Sequence, residues 1–242
     1  MTEDPVEVAA IGARWAQVRR RIEAAAAEAG RDPGEVRVVA VTKGFGPEVV
    51  EAARRTGLDR FGENRVQEGE RKVAVAPDAE WHLVGHLQSN KARRAVEAFG
   101  WLHGVDSAGL LRKLDAAATE AGRRPQVLLQ VNVAATATQH GMAAADLAPG
   151  PAQETLLATL DALGSLDVVG LMGIGPLTSD PAVSRSAFAA LRRLRDGLRE
   201  ASGLPLPELS MGMSGDLEAA VTEGATLVRI GTAIFGERPE PA

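Results

Sequence analysis

Between Pro5 and Gly30 the apolar residues Ile11, Trp15, Val18 and Ile22 recur at steps of three or four, with Arg and Glu between them. That spacing predicts a helix with one apolar stripe, stopped by Gly30. The next segment, VRVVAVTK (Val36 to Lys43), has almost nothing polar before its end. Such a β-branched run fits a strand buried on both faces in a parallel sheet. Pro47 then suits the first turn of a helix over Val49 to Arg55.

The alternation continues. Strands are expected near Arg60 to Phe61, at Trp81 to Gly85 and at Leu102 to Val105, each followed by a helix, from Val66, Ser89 and Ser107 respectively. VLLQVNV (Val127 to Val133), a helix around Glu154 to Leu163, VVGLMGIG (Val168 to Gly175) and a helix carrying Phe188, Leu191, Leu194 and Leu198 follow. Strand ELSMG, helix DLEAAVTEG and strand TLVRIG complete the set. Eight strand-like segments alternating with helices, in a chain close to the ~250 residues of a single (β/α)8 barrel, predict an α/β TIM barrel over 1–242 with an additional N-terminal helix. A doubly wound open sheet is the competing arrangement. Its dinucleotide signature, a glycine-rich turn directly after the first strand, is missing because Lys43 stands there. Met142 to Gln153 lacks a pattern and reads as a surface insertion in a βα connection.

Composition narrows the chemistry. There is no Cys, which removes disulfides, thiolate nucleophiles and zinc–cysteine sites, and no Tyr, which removes the phenol as an acid or base. Lys plus Arg is 27 against 32 Asp plus Glu, so the formal charge of -5 gives no reason to expect nucleic acid or a membrane surface as partner. The acidic start MTEDPVEVAA is unlike a secretory signal, and no run of about 18 apolar residues could span a bilayer. A cytoplasmic protein with a small ligand is the expectation.

In a barrel the site forms where the strands end, and Lys43 ends the first. There its amine could form a Schiff base with an aldehyde, although a lysine at a strand end is more often simply solvated. Near the last two strands, SMGMSGDLEAA and VRIGTAIFG offer small residues that let backbone N–H groups approach an anion. Ser214 and Thr232 add hydroxyls beside Gly231, and a helix starting near Asp216 would add its positive end. Singly, Ser214 could be an N-cap, Gly231 a turn glycine and Arg229 a carboxylate partner. An amine on the first strand and an anion cradle on the last two become neighbours once the barrel closes, and a phosphorylated aldehyde fits between them.

VAVTK, FGENRVQE, WHLVGHLQSNK, LSMGMSGDLEAAV and VRIGTAIFG, in that order from about Val36 to Gly236, resemble the pyridoxal phosphate homeostasis protein family. That family is similar in fold to the N-terminal barrel of alanine racemase. The resemblance implies that Lys43 carries pyridoxal 5'-phosphate as a Schiff base, that Ser214, Gly231 and Thr232 hold the phosphate, that Arg229 faces the pyridine nitrogen and that Asn64 lies beside the cofactor. A guanidinium can only donate, so Arg229 would keep that nitrogen unprotonated and the cofactor a weak electron sink. Racemases of this fold use a tyrosine from a second domain, which this sequence lacks. The implied role is therefore intracellular homeostasis of the cofactor with little or no turnover, as a monomer, with apoenzymes that require the cofactor as possible recipients.

Other readings stay open: a racemase of unidentified substrate, a Schiff-base lyase, or a scaffold without ligand. His82, His86, His103 and His140 are the four histidines that could stand in for the missing acid or base. His82 and His86 could share a strand face, but no nearby acidic residue in the sequence completes a metal set. The segment NVAATATQHG departs from the family pattern at Thr136 and Gln139, where an acidic and a basic residue are usual, which puts any shared role of this loop in question.

Overall fold

In a computed structural model, which describes residues 5–134 and 139–237, eight parallel strands close into a barrel in sequence order. The strands are β1 (Arg37–Val41), β2 (Arg60–Glu63), β3 (Glu80–Leu83), β4 (Trp101–Val105), β5 (Gln126–Val131), β6 (Asp167–Gly173), β7 (Glu208–Ser210) and β8 (Leu227–Ile230). β8 closes the ring by pairing with β1, Val39 opposite Arg229. The connecting helices are α2 (Glu48–Arg54), α3 (Val66–Val73), α4 (Ala92–Ala98), α5 (Ala108–Ala121), α6 (Pro151–Asp161), α7 (Pro181–Ser202) and α8 (Leu217–Thr222). The expected N-terminal helix is α1 (Pro5–Glu28), and its stripe residues Ile11, Val18 and Ile22 are buried.

Alternation along each strand separates two cores. Inward residues Val39, Val41, Val84, Trp101, Leu128, Met172 and Leu227 fill the barrel, while the outward-facing residues join the larger core between strands and helices. The same alternation carries Lys43, two residues beyond Val41, and Arg229, two beyond Leu227, to the inside. Inward side chains therefore fill the lower barrel and leave polar groups at its upper rim.

Three local expectations change. The helix predicted from Ser89 begins as a 3-10 turn over Ser89–Lys91 and becomes α-helical at Ala92. Gly231 is followed by one helical turn, α9 (Thr232–Phe235), too short to show periodicity. Met142 to Gln153 is not a mere surface insertion. Met142 forms a bridge with Val131, Leu147 is buried, and Gln153 Nε2 donates to the Leu147 carbonyl at 2.7 Å. The segment is anchored by single apolar contacts at non-periodic positions, and that spacing carries no sequence signal.

Candidate cofactor site

At the C-terminal end of the barrel a cavity of about 300 Å³ is lined by Lys43, Asn64, Ser214, Arg229, Gly231 and Thr232, with Val41, Val84 and Ile174 among its apolar walls. All six residues singled out from the sequence thus face one space, although they come from the ends of β1, β2, β7 and β8. A larger hollow of about 540 Å³ lies at the other end, between α1 and the strand starts, lined by Trp15, Arg19, Glu23 and Arg37. It lacks the convergence of strand-end groups on which barrel chemistry depends.

The strand ends are held by buried polar contacts that sequence reading missed. Thr42 Oγ1 and Lys72 Nζ both donate to Glu63 Oε1 at 2.5 Å, and Lys72 also donates to the Thr42 carbonyl at 2.7 Å. This cluster is closed to solvent and fixes the residue directly before Lys43 against β2 and α3. Burial raises the Glu63 carboxyl above its ordinary value despite the opposing bonds from Lys72 and Thr42. The pattern FGENR…K hints at it only through a Glu and a Lys nine positions apart on different elements.

Asn64 is set by a backbone approach: a Cβ on Gly85 would stand 2.2 Å from the Asn64 carbonyl oxygen, so the glycine of WHLVGHL is required by packing. Across the cavity, Ser214 Oγ accepts from the Ala233 N–H at 3.2 Å, which ties the loop after β7 to the first turn of α9. Arg21 of α1 donates to the Ser214 carbonyl at 3.0 Å from behind. Gly231 lies close to the Val41 carbonyl, 3.3 Å from where a Cβ would be. The cradle differs from the sequence reading in one respect. α8 is only six residues long, and the Asp216 carboxylate at its start accepts from the Met213 N–H at 2.6 Å.

Arg229 is buried, with Nη1 donating to Ser210 Oγ at 2.7 Å and Nη2 to the Gly173 carbonyl at 2.9 Å. Burial brings its pKa down to about 10, which leaves it a cation at neutral pH.

The histidines do not enter the cavity wall. His82 and His103 are fully buried below it. His86, His140 and Asp106 form a separate cluster, with His86 Nδ1 3.1 Å from Asp106 Oδ2. An acidic residue does therefore join His86, from the end of β4, and His82 is not part of the group. The His86 and His140 rings are stacked at 3.8 Å with an 11° tilt. In-plane lone pairs of nearly parallel rings do not converge on one point, so these imidazoles do not form a metal set as they stand. Of the two departures in the loop, Thr136 lies outside the described residues, and the Gln139 carbonyl accepts from Asn132 Nδ2 at 3.1 Å.

A family profile described as alanine racemase, N-terminal domain, matches residues 13–239. A pyridoxal phosphate homeostasis protein of Pseudomonas aeruginosa is 45% identical over 226 residues, covering 92% of this chain and 94% of its own length. The chain belongs to the pyridoxal phosphate homeostasis protein family. A relative of the same name from Synechocystis is 40% identical over 209 residues, covering 85% of this chain and 93% of that protein. Among solved structures, PipY of Synechococcus elongatus with PLP bound superimposes with a TM-score of 0.80 at 40% identity, over 93% of this chain and all of PipY. Alanine racemase of Corynebacterium glutamicum shares the fold, with a TM-score of 0.72 at 17% identity over 96% of this chain and 62% of that one. The barrel and the family implied by the sequence motifs are both borne out.

Proposed function

We propose that this chain binds pyridoxal 5'-phosphate at the barrel mouth through Lys43 and serves intracellular homeostasis of that cofactor, as its relatives are named, with little or no turnover. The observation that carries this reading is the convergence of Lys43, Asn64, Ser214, Arg229, Gly231 and Thr232 on one cavity. The lining fits the ligand's chemistry: an amine at one side, apolar walls for an aromatic ring, a buried cation at the base, and a hydroxyl-bearing turn of small residues for an anion. When bound, the cofactor supplies an aldehyde for a lysine amine.

Lys43 is the nucleophile, and the cluster of Thr42, Glu63 and Lys72 fixes the backbone that carries it. Ser214, Gly231 and Thr232 grip the phosphate, Asn64 orients the ring, and Arg229 donates at the ring nitrogen. Holding is favoured over turnover because Lys43 and Arg229 are the ionisable side chains among the described lining residues. Proton transfer on both faces of a substrate needs a second exchangeable group. A cytoplasmic monomer that releases its cofactor to apoenzymes completes the reading.

Incubation with pyridoxal phosphate, borohydride reduction and peptide mapping tests it. A single pyridoxyl adduct on Lys43, absent from Lys43→Ala, is the expected result; a colourless protein or labelling elsewhere overturns it.

A further inference from the structure

Below the cavity the barrel holds a polar column that the cofactor-binding residues do not account for. β3, β4, β7 and β8 contribute the inward side chains His82, His103, Ser210 and Arg229, all buried. Arg229 Nη1 donates to Ser210 Oγ at 2.7 Å, and Ser210 Oγ stands 2.9 Å from His103 Nδ1. His103 Nε2 is 2.9 Å from His82 Nδ1, and His82 Nε2 is 2.9 Å from Glu80 Oε1 at the barrel floor. Trp101 stacks on His82, centroids 5.0 Å apart and 20° from parallel, which fixes the ring plane.

Donor and acceptor roles in this column follow from its two ends. The Glu80 carboxylate can only accept, so His82 carries its proton on Nε2 and a neutral ring then accepts at Nδ1. His103 must therefore donate from Nε2 and accept at Nδ1, which requires the Ser210 hydroxyl to donate to it. The lone pairs of Ser210 are left for the guanidinium, which can only donate. Every bond runs in one direction, from cation to carboxylate. The charged groups facing the two imidazoles are Glu80, Arg37, Arg60 and Arg229. Burial, reinforced by the arginines, holds both rings below the ordinary histidine value and therefore neutral.

We propose that Glu80, His82, His103 and Ser210 are positioning residues for Arg229: a one-way hydrogen-bond column, anchored on a carboxylate at the barrel floor, that fixes the guanidinium at the base of the ligand cavity. Two of the five guanidinium N–H donors are committed, to Ser210 and to the Gly173 carbonyl, and this sets the plane in which the others meet a ligand. The ligand's identity rests on the proposed function. The column does not.

The test uses the full chain with isotope-labelled histidine and no added cofactor, read by long-range nitrogen–proton NMR, which reports tautomer and charge. Both buried rings are expected neutral and protonated on Nε2 at about pH 7. Ser210→Ala removes the donor to His103 Nδ1 and should shift the His103 signals and, through it, those of His82; Ser210→Thr should restore them. A ring protonated on Nδ1 or charged, or Ser210→Ala leaving both rings unchanged, overturns the column. On the same proteins, absorbance titration with pyridoxal phosphate should show Ser210→Ala weaker by about tenfold, with the reduced adduct still on Lys43 and Ser210→Thr near the parent. Equal affinity overturns the positioning role. If the parent protein forms no adduct on Lys43, the cofactor reading fails and the NMR result decides the column independently.

Discussion

At the scale of single residues, the support of Lys43 rests on a buried ion pair whose Glu63 Oε2 has no hydrogen-bond partner among the described residues. Lys72→Met leaves that carboxylate buried without its cation, the Thr42 hydroxyl still donating to it, and should cost about 3–5 kcal/mol in urea denaturation. Adding Glu63→Gln should recover part of the loss, and additive losses would contradict the pairing. Gly85→Ala places a Cβ 2.2 Å from the Asn64 carbonyl, so the chain there must shift. A loss of about 1–3 kcal/mol and weaker cofactor uptake by absorbance are expected, and unchanged uptake would detach Asn64 from the site. Lys43, Ser214, Arg229, Gly231 and Thr232 were legible because chemistry concentrates at strand ends in a barrel, whereas Asn64 was reached through the family resemblance alone. Glu63, Lys72, His103 and Ser210 were not, because their roles arise from contacts between strands and helices far apart in the chain, and no spacing along one segment records them.

At the scale of elements, the sequence marks helix starts where a side chain caps them. Ser107 accepts from the Leu110 N–H at 3.2 Å, so Ser107→Ala should lower stability by about 0.5–2 kcal/mol, measured by urea midpoint, without changing cofactor uptake. The long apolar runs of β1, β5 and β6 were readable as strands because burial on both faces excludes polar residues. α9 and the 3-10 turns span less than the repeat that would reveal them. α1 gains a role that its stripe alone did not suggest. The helix packs on α8, α9 and α2, and Arg21 links Glu218 of α8 to the Ser214 carbonyl behind the cavity. Arg21→Met should weaken cofactor binding slightly, by less than about fivefold in titration, since Arg21 is part-exposed and its ion pair screened.

At the scale of the whole molecule, the two buried imidazoles link folding to pH. Their folded pKa values lie below the ordinary 6.5, so the stability they contribute is fully present above that value. It is lost as pH falls, because the unfolded chain takes up protons that the folded one refuses, at up to about 1.4 kcal/mol per pH unit for each ring. Glu63, raised above 4.5, acts oppositely, its contribution being present below that value and lost as pH rises. Denaturation midpoints should therefore fall between pH 7 and 5.5, with a shallower slope for His103→Asn; identical slopes would count against burial as the cause.

Strand closure joins segments far apart in the sequence. Val39 lies opposite Arg229, so the amine near the start of the chain and the cradle near its end share one wall only after β8 has docked. A polypeptide still emerging from the ribosome has no complete pocket until Leu227 to Thr232 are out. Capture of the vitamin would then report that the barrel has closed, and a fragment truncated before Leu227 should be blind to the ligand.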